Sequence, residues 1–186
     1  MLDISIKSAS NLKISVTILK LCIPLVIVFF GMRVFDTPLK NEISPKGIVS
    51  FELAKDLNVA SAILDSWDIA ARTSAGMSMG LDFLFIVLYT TVLVLLLLLT
   101  KPPTSFFQKV FRIICGLLLF AALCDVVENI ALIKLLLGDL KQFWVSLAYY
   151  MAIIKFGIIL LGIAYLFLQL VVQLLYWKNA TIPNIE

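Results

Sequence analysis

The chain has 186 residues, 62% of them hydrophobic, with a mean hydropathy of +1.07 and a formal net charge of +3. That composition lies far outside the range of water-soluble domains and reads as an integral membrane protein, while the small, scattered positive charge offers no nucleic-acid surface. The absence of histidine excludes histidine-ligated haem and Ser–His catalysis, and Cys22, Cys115 and Cys124 all fall inside apolar runs. Neither a metal site, nor a cofactor, nor a disulfide framework is expected.

The first apolar run, 14–35, carries Lys20 near its start, and its apolar core is followed by Gly31, Met32, Arg33, Val34, Phe35 and Asp36. Those residues make a poor signal-peptidase site, so the run reads as a retained membrane span. Lys20 can snorkel to the near interface, and Pro24 is expected to bend the helix. The segment 36–78 is the only sizeable polar stretch. Its first part holds Pro38, Pro45 and Gly47 and should be irregular, and an apolar patch follows at 48–54. Residues 58–68 read as an amphipathic helix with Val59, Ile63 and Trp67 on one face, suited to the membrane interface or to a lid on the bundle. Residues 68–78 lead helically into a second span, 79–100, which ends at Lys101, Pro102 and Pro103. A third span, 110–137, ends at Gly138, and a fourth, 143–177, is interrupted by Lys155. At 1.5 Å per residue the fourth is about 50 Å long, so it must tilt, kink or protrude. The tail, 178–186, carries no lipidation motif.

The expected fold is therefore all-α: one polytopic domain over 1–186, a four-transmembrane-helix bundle with an extracytoplasmic amphipathic helix between helices 1 and 2. Lys7, Lys13, Lys101, Lys109, Arg112 and Lys178 gather on one side and favour cytoplasmic termini. Lys40, Lys46, Lys55 and Arg72 in the long segment oppose them. The expected location is a bacterial inner membrane.

Within the third span stand Asp125, Glu128 and Asn129, which share one helical face. An ionisable group at such depth costs at least a few kcal/mol unless it is paired, protonated or wetted. By helical rise Lys155 comes out level with Asp125, while Asp82 and Arg33 belong to the same outer half. The result is a polar cup floored by leucines. In one reading the cup is packing glue, with Lys155 neutralising Asp125 or Glu128, Arg33 neutralising Asp82 and Asn129 bonding across helices. In the other, acids outnumber bases and the surplus holds a ligand or proton. The candidate site is Asp82, Asp125, Glu128, Asn129 and Lys155, with Glu52 and Trp67 capping it. Tyr149, Tyr150 and Tyr165 are weaker donors, and Phe51, Leu53, Ile63 and Trp67 need cover.

The combination Phe51-Glu52-Leu53-Ala54, Trp67, Leu81-Asp82-Phe83-Leu84-Phe85 with Tyr89, and Asp125-x-x-Glu128-Asn129 resembles a group of small four-helix bacterial membrane proteins. The resemblance implies that the outer segment, Asp82 and the acidic motif form one site, and it implies no activity. In architecture alone the chain is also similar to the sterol-isomerase-like four-helix proteins. Three functions are open: binding of an amphiphilic small molecule of lipid, isoprenoid or quinone type; an accessory or assembly role with membrane-protein partners or as a homo-oligomer; and proton or cation passage. No catalytic motif is present, and membrane lipid is the one partner expected on every reading.

Overall fold

The computed structural model describes residues 2–100 and 105–181, with side chains described for 11–100, 105 and 107–175. Lys101, Pro102, Pro103 and the tail beyond Thr181 lie outside the described residues, as do the side chains of Lys7 and Lys178. The described elements are all helical: α1 (Leu2–Asp36), a 3₁₀ turn (Thr37–Leu39), α2 (Ile48–Glu52), α3 (Leu57–Ser66), α4 (Ile69–Leu99), α5 (Ser105–Leu136) and α6 (Gln142–Thr181). Four of them are long and apolar enough to cross a membrane, over Asn11–Leu39, Ile69–Leu99, Phe107–Leu136 and Gln142–Leu175.

These four form a row in which α1 packs on α4, α4 on α5 and α5 on α6. The most apolar stretch of α1 is only 6% buried against 33% for α4, so α4 is central and α1 a peripheral rib. Each apolar helix must hide what cannot face lipid, and close approach helps: Gly162 of α6 lies so near Leu118 of α5 that an added Cβ would sit 2.9 Å from the leucine Cδ2. Gly76, Gly80 and Gly157 make no comparably close approach.

The segment between α1 and α4 folds into a packed cap over one end of the bundle. Asp36, the last residue of α1, accepts the Ile48 N–H at 2.8 Å and so holds the start of α2. The adjoining Gly47 has φ +60°, and a Cβ there would collide with the Asp36 carboxylate, which makes glycine a requirement of this corner. Asp56 caps α3 through the N–H groups of Asn58 and Val59. Arg72, reaching back from α4, donates to the Leu64 carbonyl at 2.7 and 3.1 Å and so satisfies the open end of α3. Gln142 ties the cap to α6, accepting the Leu57 N–H at 2.8 Å and donating to the Lys55 carbonyl at 3.2 Å.

The cap's apolar side merges with the ends of α4, α5 and α6. Leu39, Phe51, Ile63, Leu64 and Trp67 join Met79, Leu132, Leu135 and Val145 in one buried cluster. The buried face of α3 is Ala60, Ile63 and Leu64, continuing to Trp67, which is a 3–4 helical stripe. Val59, expected on that face, is 45% exposed, because the stripe is set by the alanine that lets α3 approach closely. Leu53, expected to need cover, is likewise exposed at 37%, lying past the end of α2.

α4 begins ten residues before the hydropathy boundary at 79, since Asp68 caps it by accepting the Ala71 N–H at 2.7 Å. Asp82 therefore lies about 20 Å along the helix. α5 closes at Gly138, whose φ of +93° allows Asp139 N–H to reach back to the Lys134 carbonyl at 3.0 Å.

Candidate functional site

The acidic face of α5 meets α4 on one side and α6 on the other. Lys155 of α6 places its ammonium 2.6 Å from Asp125 Oδ1 and 2.9 Å from Glu128 Oε2, with side chains 6%, 5% and 0% exposed respectively. On the other side Tyr89 of α4 donates its hydroxyl to Asp125 Oδ2 at 3.1 Å, and Asn129 donates its amide to Asp82 Oδ2 at 2.6 Å. Asp125 thus bridges α4 and α6, which barely touch otherwise. The contact from Lys155 to Glu128 is ionic without directed hydrogen-bond geometry, and both Glu128 oxygens lack a hydrogen-bond donor. A buried ion pair with incomplete hydrogen bonding is expensive, so its retention marks either specificity of packing or a task.

A partly open cavity of about 510 Å³ adjoins this network. It lies between α1 and α6, which are not packed extensively on each other, with α4 as its back wall and α2 over one end. Its charged residues and Ser78 gather towards the cap end, Arg33, Asp36, Glu52, Asp82, Asp125 and Lys155, with the Tyr89 hydroxyl beside Asp125. The remainder is apolar, with Leu25 and Phe29 from α1, Val92 and Leu93 from α4, and Ile159 and Ile163 from α6.

The expected site residues divide accordingly. Asp82, Asp125 and Lys155 face the cavity together with Glu52, whereas Glu128 and Asn129 stand behind them as ion partner and hydrogen-bond donor. Trp67 does not border the cavity. It is 3% exposed inside the cap, donating its indole N–H to the Leu39 carbonyl at 2.9 Å and to Ser44 Oγ at 3.1 Å, and stacking edge-on with Phe51. The expected pairing of Arg33 with Asp82 is not formed. Arg33 is 60% exposed and lies 4.0 Å from Asp36, and Asp82 is served by Asn129, because Asp82 is set well inside α4 while Arg33 stays at the rim.

Glu52 carries the one titration outside the spans that bears on the site. Burial pushes its carboxyl from the ordinary 4.5 up to about 7; Lys155 opposes the rise, and Asp82, Asp125 and Asp36 add to it. Its Oε2 is buried without a hydrogen-bond donor.

Tyr89, part of the motif set that carries the resemblance, is not among the candidate site residues expected above, and the structure brings it to the site. The signal was present, since Tyr89 follows Asp82 by two helical turns on the same face of α4. Tyr165, weighed as a donor to the cup, serves elsewhere: it donates to the Phe107 carbonyl at 2.9 Å and accepts from Gln169 at 2.6 Å towards the opposite end. That end is consequently less uniformly apolar than a leucine floor, because Gln169 and Thr100 are buried there too.

No protein-family model, curated protein or solved structure matches the chain.

Proposed function

We propose that the protein is an integral membrane protein that binds an amphiphilic small molecule of lipid, isoprenoid or quinone type in the cavity between α1 and α6. The observation that carries this is the division of the cavity wall: carboxyls and Lys155 at the cap end, aliphatic and aromatic side chains along the rest. An amphiphile matches both ends at once, its head replacing the water that the carboxyls would otherwise need and its chain covering the apolar walls. The gap between α1 and α6 supplies lateral entry from the bilayer, so no water-filled route is required. A subunit role and ion passage draw on no comparable feature. Apolar outward faces belong to every membrane bundle, and away from the acids the cavity is lined by Val92, Leu93 and Ile163, which offer no polar path.

The proposal is tested by native mass spectrometry of protein purified gently from its own membranes. The wild type should carry a stoichiometric amphiphile, and Ile159→Trp, which fills the seam, should lose it while keeping its helical content. Equal lipid retention by both proteins, or a stoichiometric protein partner and an empty cavity, would sink the proposal.

In the proposed orientation the cap is extracytoplasmic and the termini are cytoplasmic, in a bacterial inner membrane. Support comes from the basic residues near the termini, although Lys134 and Lys141 join those at the cap end and even the balance. A cysteine placed at the exposed Lys46 should react with an impermeant maleimide in intact cells. Protection there until lysis would reverse the orientation.

A further inference from the structure

The carboxyls around the cavity fall into two groups by partner. Asp36 lies 3.0 Å from Lys40 and 4.0 Å from Arg33, and it accepts the Ile48 N–H. Asp125 and Glu128 share Lys155. Glu52 and Asp82, by contrast, have no basic side chain at ion-pair distance among the described residues. Asp82 takes an amide hydrogen bond from Asn129 and lies within hydrogen-bond reach of the Asp125 carboxyl, and Glu52 Oε2 is buried with no donor. Both spare carboxyls line the cavity, Glu52 from the cap and Asp82 from its back wall.

From this we infer that the amphiphile carries a cationic head, a protonated amine, seated between Glu52 and Asp82 with its chain along the α1–α6 seam. The inference rests on the amphiphile site proposed above and adds the chemistry of the head. An ammonium brings both things the two carboxyls lack, a positive charge and several N–H donors. A quinone head offers acceptors only and would leave Glu52 unserved, and a phosphate or carboxylate head would add charge of the sign already in surplus. The existing cations do not fill the role: the charge of Lys155 acts on Glu52 from a distance, but its ammonium is in contact with Asp125 and Glu128, and Arg33 is exposed at the rim. Away from bulk water, such charge-assisted hydrogen bonds are stronger than neutral ones, so the preference should be large enough to measure.

The test is calorimetric titration of the protein in phosphatidylcholine nanodiscs with dodecylamine, dodecanol and dodecanoate at about pH 8, where the amine is still protonated and Glu52 is ionised. Ile159→Trp discs serve as the reference for partitioning into lipid. Dodecylamine is expected to bind the wild type at least about tenfold more tightly than dodecanol, with dodecanoate weakest. Glu52→Gln and, separately, Asp82→Asn should bring the amine-to-alcohol ratio to within about threefold. Because Asp82→Asn also disturbs the Asn129 contact, Glu52→Gln in the cap provides an independent check, made on protein whose circular-dichroism spectrum matches that of the wild type. Equal binding of amine and alcohol, or a preference for dodecanoate, would overturn the cationic head and leave the amphiphile site standing. Saturable binding of none of the three above the Ile159→Trp reference would overturn both.

Discussion

The two ends of the bundle are held together by different physics. At the cap end, three short helical elements, Trp67 and the ends of α4, α5 and α6 form one continuous buried cluster, and the ionisable groups of the site lie beneath it. At the opposite end a small cluster around Leu97, Ile114, Leu118 and Tyr165 holds α4, α5 and α6, and α1 has little cover. Lipid covers leucine at little cost but cannot satisfy a carboxylate. Buried charge is therefore found where the chain has built a roof of its own, and the other end needs only shape.

The sharpest way to break this contrast is to remove the central cation. Lys155→Met leaves Asp125 and Glu128 buried without their ion partner, and should destabilise the protein by about 3–5 kcal/mol in denaturant unfolding followed by circular dichroism. Adding Asp125→Asn and Glu128→Gln to that variant should recover much of the loss; no recovery would mean that Lys155 acts through packing instead. Next in size is the corner of the cap. Gly47→Ala forces a side chain into positive φ and against Asp36, and should cost about 1–3 kcal/mol in the same assay.

A smaller effect is expected from pH. The folded protein holds the Glu52 proton more tightly than the unfolded chain, so this stabilisation is complete below 4.5 and is lost as pH rises through about 7. Asp36 of α1, Asp82 of α4, Asp125 and Glu128 of α5 and Lys155 of α6 all face Glu52 and act on it electrostatically. The discriminating quantity is thus the difference between proteins: Glu52→Gln should gain stability relative to the wild type across that interval, and parallel curves would contradict the assignment. The smallest effect belongs to the opposite end. Gln169 is 1% exposed and its Oε1 has no donor, so Gln169→Leu should change stability by about 1 kcal/mol or less.

Much of this was legible from residue order. Apolar run length gave the four long helices, and the i, i+3, i+4 spacing of Asp125, Glu128 and Asn129 with helical rise placed Lys155 opposite them. The helix starts were harder to see, because hydropathy marks where lipid begins and not where Asp68 caps the backbone. Asp82 therefore looked like a rim residue within reach of Arg33, though it lies deep enough to meet Asn129. Val59 was placed on the buried face of α3 by spacing, yet alanine at 60 sets that face, and the choice depends on what packs against it. The polar cup is legible from the acids at depth, but the place of the cavity between α1 and α6 has no signature in the sequence. It arises because α1 packs on α4 and leaves α6 uncovered, a matter of neighbours that a single helix's pattern does not encode.

The most direct measurement is a structure of the protein crystallised from a lipidic phase, with the region between α1 and α6 examined for bound density. Elongated density along Phe29 and Ile159, ending in a head beside Glu52 and Asp82, is the expected result. A seam closed by α1 packed onto α6, with Asp82 and Glu52 sealed from it, would contradict a ligand site and leave the acidic network as the framework of the bundle.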